Sequence, residues 1–358
     1  MSATSDGVTM KRTNIKDLAK ALQLSEGTVS RALNGYTDIS EKTAARVRAM
    51  ALELDYRPNQ LARRLATGIP ESVAYVIPQA HSSIAEPLIA QVLHGLNESL
   101  SRRGWDLLVS HSPSGEADLD AIRRLIDSGR TSGIVLSRPF KHDARIELLR
   151  EARFPFVVHG RSIEHADYAW FDIDNEDAYR QAVEHLFELG HRRIGFLGAP
   201  LYFQFAQLRL DGYRRALGDV GIGYDEALVE IAEFTDEGGM RAAGDLLDGA
   251  DPPTALICVS DVVAFGAIAA ARTRGLEVGR DVSVLGYDGL KFGQHTHPPL
   301  TTLAQPQVQA GRELGDMLLA IIDGDDPVRH QRLRRADLVI RQSVGPAPAS
   351  GVDLAEKT

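Results

Sequence analysis

The chain has 358 residues, 44% of them hydrophobic and 25% charged, with a net charge of −9 and one cysteine. That length exceeds one ordinary domain and suits a small module ahead of a bilobal body, and the composition is that of a chain folded nearly throughout. The single Cys258, in the apolar run TALICVS, excludes an internal disulfide and a cysteine-built zinc site, and VVAFGAIAAA at 262–271 is too short to span a bilayer.

The N-terminal MSATSDGVTM has no basic segment leading into an apolar run, so no export signal is expected and a cytoplasmic location is. Charge is unevenly spread. Residues 1–68 carry 11 Lys and Arg against 7 Asp and Glu, a net of +4, whereas the other 290 carry 29 against 42, a net of −13. A basic head on an acidic body suits a protein that presents one end to a polyanion.

In the head, IKDLAKAL sets Ile15, Leu18, Ala19 and Leu22 on one helical face. Ser25 caps a second helix with Val29, Ala32 and Leu33 inward, ending near Asn34-Gly35. Ser40 caps a third whose inner face is Val47, Met50, Ala51 and Leu54, with Pro58 as its stop. The outer face of the second helix carries Ser25, Glu26, Gly27, Thr28, Ser30 and Arg31. Short polar groups at a helix start and a guanidinium one turn later suit phosphates and base edges in a major groove. Asn59 can cap a fourth segment, with Leu61, Ala62 and Leu65 on one side and Arg63 and Arg64 elsewhere. It is too short to be stable alone and is expected to order only against a partner.

From SVAYVIP at 72 the body alternates apolar strands with amphipathic helices, through WDLLVS, SGIVLS, FPFVVHG, RIGFLG, TALICVS and DVSVLGYD. This favours doubly wound parallel sheets. The first helix bears a stripe of Leu88, Ile89, Val92, Leu93, Leu96 and Leu100, either core or dimer face. Strand exits are polar: His159, Gly160 and Arg161 after FPFVV, Ser260 and Asp261 after TALICV, Asp288 after VSVLGY, and Gln305 after TTLA. Ligands of such sheets lie beyond the carboxyl ends of the strands, and this donor set suits a polyhydroxylated molecule. Asp261 serves equally well as a helix cap.

DIDNED at 172–177 sits at a strand-to-helix turn, where acidic residues favour a helix start over a cation site. His295 and His297 precede Pro298-Pro299 without a carboxylate at ligand spacing and read as a surface loop. No phosphate loop, third glycine after GIG or nucleophile elbow is present, so neither catalysis, metal nor cofactor is expected.

The stretch IKDLAKALQLSEGTVSRALNGYTDISEKTAARVRAMALELDYRPNQLARRLATG resembles the head of lactose-repressor (LacI/GalR) family regulators. The likeness continues through VEHLFELGHRRIGFLG, RLDGYRRAL, PTALICVSDVVAFGAIAAARTRGLEVGRDVSVLGYDG and PPLTTLAQP. Within the family, FPFVVHGRS and WFDIDNE are most similar to rhizobial regulators of α-glucoside uptake. The resemblance implies an α/β protein with a helix-turn-helix head at 1–57, a hinge helix and linker at 58–70, a two-lobed, doubly wound, periplasmic-binding-protein-like effector and dimerisation domain at 71–345, and a tail at 346–358. It implies a homodimer on palindromic double-stranded operator DNA, with no membrane partner, whose affinity a small sugar controls. Thr28, Ser30 and Arg31 match the family's recognition-helix contacts, with Ser25, Glu26 and Asn34 beside them, and Leu65 matches the hinge wedge next to Asn59, Arg63 and Arg64. Phe234 matches the aromatic under the sugar. Gln207 stands where the family has a ligand-facing arginine, Arg209 keeps the motif's second arginine, Ser260 replaces an Asn and Gly289 a second Asp, departures that favour a neutral ligand. The tail lacks leucine heptads, so no tetramer is expected through it.

Overall fold

The computed structural model describes residues 13–33, 36, 38–56, 70–78, 87–112, 116–163 and 167–348. Asn34, Asn59, Arg63, Arg64 and Leu65, and with them the expected hinge helix, lie outside the described residues. The chain divides into two units, Met1–Glu71 and Ser72–Thr358.

In the first unit the Asn14 side chain accepts from the backbone N–H groups of Lys16 and Asp17, and the Asp17 carboxylate accepts from Asn14 N–H. This reciprocal cap starts α1 (Ile15–Leu22) by satisfying donors that no earlier turn can reach. Gln23, at φ 56°, stops it. Ser25 Oγ accepts from Thr28 N–H at the head of α2 (Glu26–Leu33), and Ser40 Oγ from Thr43 N–H at the head of α3 (Glu41–Glu53). Leu18, Leu22, Val29, Ala32, Val47 and Ala51 form the core, with Ile15, Leu33, Met50 and Leu54 around it. Helix α3 ends at Glu53, short of the expected stop at Pro58, because the chain turns through Asp55 at φ 43°.

The second unit alternates as its sequence does: β1 (Ser72–Pro78), α4 (Pro87–Arg102), β2 (Asp106–Ser112), α5 (Glu116–Asp127), β3 (Gly133–Ser137), α6 (Ala144–Glu151), β4 (Phe156–His159), β5 (Ala169–Ile173), α7 (Asn175–Glu188), β6 (Ile194–Gly198), α8 (Gln204–Asp219), β7 (Val229–Ile231), α9 (Asp236–Leu247), β8 (Ala255–Cys258), α10 (Asp261–Thr273), β9 (Ser283–Asp288), β10 (Thr301–Ala304), α11 (Gln307–Ile322), β11 (Gln331–Arg334) and β12 (Asp337–Val339). One sheet has the order β11-β5-β4-β3-β1-β2, all parallel; the other runs β12-β10-β9-β8-β6-β7, parallel except for β12. The two are doubly wound lobes with strand-order reversals beside β1 and β6, where such sheets open a crevice. The chain passes between lobes three times, after β5, after β10 and after β11.

In each lobe a pair of helices packs backbone to backbone. On α4 and α11, a Cβ at Gly95 would overlap the Val308 carbonyl oxygen, and one at Gly311 would overlap that of Val92. In the other lobe, Gly239 of α9 and Gly266 of α10 meet the backbones of Val263 and Asp236 in the same way. The stripe on α4 is mainly core, with Ile89, Val92, Leu96 and Leu100 buried.

Candidate functional site: a polar cleft with aromatic walls

A cavity at the strand exits takes its lining from both lobes. From the first sheet come Tyr75, Ser137, Arg138, His159, Gly160, Arg161, Asp172 and Ile173. From the other lobe and the crossings come Asn175, Phe205, Arg209, Phe234, Asp288, Gln305 and Gln307, while Leu88, Ile89 and Val92 of α4 close one side. Five residues expected from the sequence, His159, Arg161, Phe234, Asp288 and Gln305, therefore lie together.

Three expectations need correction. Gln207 lies outside the lining: its Oε1 accepts from Lys141 Nζ at 2.7 Å and its Nε2 donates to Asp211 at 2.8 Å. One step along α8, Phe205 and Arg209 share the face that meets the cavity. The absence of arginine at 207 consequently says nothing about ligand charge. Ser260 is fully buried and caps α10, accepting from Val263 N–H. Asp261, also fully buried, accepts from Leu290 N–H and Thr302 Oγ1, each at 2.6 Å, and so ties β9 to β10. Gly289 has a backbone reason of its own, since at φ 76° an added Cβ would lie 2.6 Å from Ala304 Cβ.

Arg209 organises the cavity's base. Its Nε donates to Asn175 Oδ1 (2.8 Å), its Nη1 to the Val259 carbonyl (2.6 Å), and its guanidinium lies 3.7 Å from the Tyr287 ring centroid. Tyr287 Oη also donates to Asn175 Oδ1. At the other wall Arg161 Nε pairs with Asp172 Oδ2 at 3.0 Å. Phe205 and Phe234 meet edge to face, and the Arg138 guanidinium stands 5.3 Å over Phe234. Arg138 and Asp288 both hold positive φ, 51° and 128°, a backbone strain that clusters at binding sites.

Sequence reasoning missed Arg138, Asp172, Asn175, Phe205 and Gln307, and noted Arg209 only as a retained motif residue. DIDNED divides: Asp174 caps α7 as read, accepting from Asp177 N–H, while Asp172 and Asn175 turn to the cleft. The strand-exit rule reaches Asp172 once β5 is known to end at a crossing.

Burial, with Arg138 beside it, pushes His159 down to about 4, so the ring is neutral near pH 7. Burial pushes Asp172 up to about 6 against the pull of Arg161. Between these values unfolding adds a proton to His159 and removes one from Asp172, so their contributions to the pH dependence of stability oppose each other. In His159→Asn only the Asp172 contribution remains: relative to wild type, stability should fall as pH rises from about 4 to about 6. In Asp172→Asn only that of His159 remains, and relative stability should fall as pH drops from about 6.5 to about 4. Urea unfolding across this range checks both; curves parallel to wild type would mean that neither group titrates there.

On the head, Ser25, Glu26 and Arg31 are exposed and Thr28 and Ser30 partly so, along one side of α2. Ser25 and Thr28 hydroxyls bond each other at 2.8 Å, and Arg31 pairs with Asp38 beside the Tyr36 ring.

A helix-turn-helix head followed by two doubly wound lobes around a polar cleft defines a ligand-responsive regulator of transcription. Residues 14–59 match the family model for bacterial regulatory proteins of the lacI family, and residues 183–344 match that for a periplasmic binding protein-like domain. The chain belongs to the lacI family. It is 38% identical over 340 residues to the transcriptional regulator AglR of Rhizobium meliloti (strain 1021), covering 94% of this chain and 95% of that one. It is 33% identical to the regulator CelR of Thermobifida fusca over 93% of this chain and 98% of CelR. Among solved structures it resembles a CelR–cellobiose complex (TM-score 0.72, 31% identity, 93% and 100% covered) and the lac repressor dimer bound to operator and the anti-inducer ONPF (TM-score 0.79, 28%, 93% and 99%). These relatives are regulators, not enzymes. Among the described residues no helix is long and apolar enough to cross a membrane.

Proposed function

We propose that the chain is a homodimeric repressor of carbohydrate uptake or catabolism genes, bound to a palindromic operator through its head and released by a small neutral sugar, an α-glucoside, in the cleft. One observation carries the ligand class: the cavity sets the aromatic faces of Phe205 and Phe234 among the guanidinium groups of Arg138, Arg161 and Arg209, the carboxyls of Asp172 and Asp288, and the amides of Asn175, Gln305 and Gln307. Sugars offer apolar ring faces and hydroxyls that both donate and accept, and this lining leaves few of either unmatched. The likeness to the transcriptional regulator AglR and to a cellobiose-bound regulator supports regulation by a bound sugar.

Sugar contacts from both lobes favour the arrangement in which the lobes close on it, and that change within the dimer lowers its affinity for the operator. The proteins's own upstream DNA, tested at fixed salt against mono- and disaccharides, gives the direct assay. One α-glucoside should release the DNA. Tighter binding with sugar would reverse the sign to corepression, and DNA binding indifferent to every sugar would overturn the ligand class.

On the head, Arg31 is the expected base reader. Its pair with Asp38 is exposed, so exchanging it for DNA costs little. Arg31→Ala should weaken operator binding by about 1–3 kcal/mol and flatten preference among operator variants. An equal loss on all variants would reduce Arg31 to a phosphate contact.

A further inference from the structure

Where the chain crosses after β10, two amides and a carboxyl form a hydrogen-bond chain. Gln307 Nε2 donates to Gln305 Oε1 at 2.8 Å, and Gln305 Nε2 donates to Asp288 Oδ1 at 2.7 Å. The chain has a direction. An ionised carboxylate only accepts, so a charged Asp288 draws the amide N–H of Gln305 toward itself, and the carbonyl of Gln305, left facing Gln307, then accepts the N–H of Gln307. The Gln307 Oε1 is left over. It is buried, belongs to a side chain only 2% exposed on the cavity wall, and has no hydrogen-bond partner.

With a proton on Asp288 the same three groups run the other way. The carboxyl O–H donates to Gln305 Oε1, Gln305 Nε2 donates to Gln307 Oε1, and Gln307 turns its N–H groups into the cavity. No side chain has to move beyond an amide rotation.

We propose that Gln307 contacts the bound sugar, and that Asp288, acting through Gln305, sets whether Gln307 offers that sugar an acceptor or a donor. The proposal rests on the cleft being a sugar site. Asp288 faces Arg209 from α8, Arg138 from the β3 exit and Asp261 from α10, and shares the cavity with His159, Arg161 and Asp172. Burial and Asp261 raise its carboxyl above the ordinary range while the arginines hold it down, which brings both states within reach of ordinary solution conditions. A sugar hydroxyl can meet either state, but it donates to Gln307 Oε1 in one and accepts from Gln307 Nε2 in the other, so the strength of the contact changes with the state. A group that only accepts or only donates fits one.

The test is calorimetric titration of the full chain with maltose, trehalose, sucrose and cellobiose at pH 6 and pH 9, for wild type, Gln307→Leu and Gln307→Met. The sugar that binds wild type should bind both variants on the order of tenfold more weakly, and the loss should differ between the two pH values. No loss overturns the contact; the same loss at both pH values overturns the relay. If none of the four binds wild type, the sugar reading fails, and the relay is judged on the free protein. The carbon-13 carboxyl signal of Asp288, assigned by its disappearance in Asp288→Asn, should titrate with a different midpoint in Gln307→Leu, and an unmoved midpoint overturns it.

Discussion

Gly311→Ala should cost about 3 kcal/mol of stability, the upper end of what an extra methyl in a packed site costs. The reason is the obstacle. The new Cβ would overlap the Val92 carbonyl oxygen and lie 2.6 Å from Leu96 N, so relief requires α4 and α11 to move apart as rigid rods, not a side chain to rotate. Moving them also shifts Leu88, Ile89 and Val92 off the cavity and Gln307 with the start of α11. Gly218→Ala is the matched control. It sits in α8 with nothing within 4 Å of the added Cβ, and should stabilise by about 0.5–1 kcal/mol through the unfolded chain. Guanidinium unfolding of both variants reads the pair; a Gly311→Ala protein within about 1 kcal/mol of wild type would mean that the close crossing is not a constraint.

Arg209→Met should abolish the sugar response while leaving operator binding intact. Methionine keeps much of the side chain's bulk but removes the donors to Asn175 and Val259 and the cation over Tyr287. Losing charge-assisted bonds in a 6%-exposed site should also lower stability by about 2–3 kcal/mol. Asp172 and Asp288 both lose a positive neighbour and should hold their protons to higher pH. Sugar-induced operator release measured beside a melting curve separates the effects. Release at wild-type sugar concentrations would make Arg209 part of the frame and not of the binding surface.

The sequence made the helix faces and strand exits readable because both follow from periodicity. Leu18, Leu22, Val29 and Val47 form the head's core as their spacing requires, and His159, Arg161, Asp288 and Gln305 reach the cleft because they end strands. Periodicity says nothing, however, about which lobe an element joins. Asp172 and Asn175 read as a helix start because the passage between lobes leaves no local mark, and Gln307 was hidden for the same reason. Ser260 and Asp261 do end a strand, but their side chains are consumed by a helix cap and a loop before any ligand could reach them. For α8 the signal was present and misread: Phe205 and Arg209 are one turn apart on a common face, and Gln207, two residues along, lies on the opposite side.

The three passages between lobes also bear on how the body is made. Neither lobe is a continuous stretch of chain: the first sheet takes its edge strand β11 from 331–334, and the helix covering it, α11, from 307–322, after nearly all of the second lobe has been laid down. A growing chain therefore cannot finish its first lobe before its second, and the open edge of β5 waits through some 150 residues of synthesis for its partner. Shortening the gene from its 3′ end should harm the beginning of the body as much as its end.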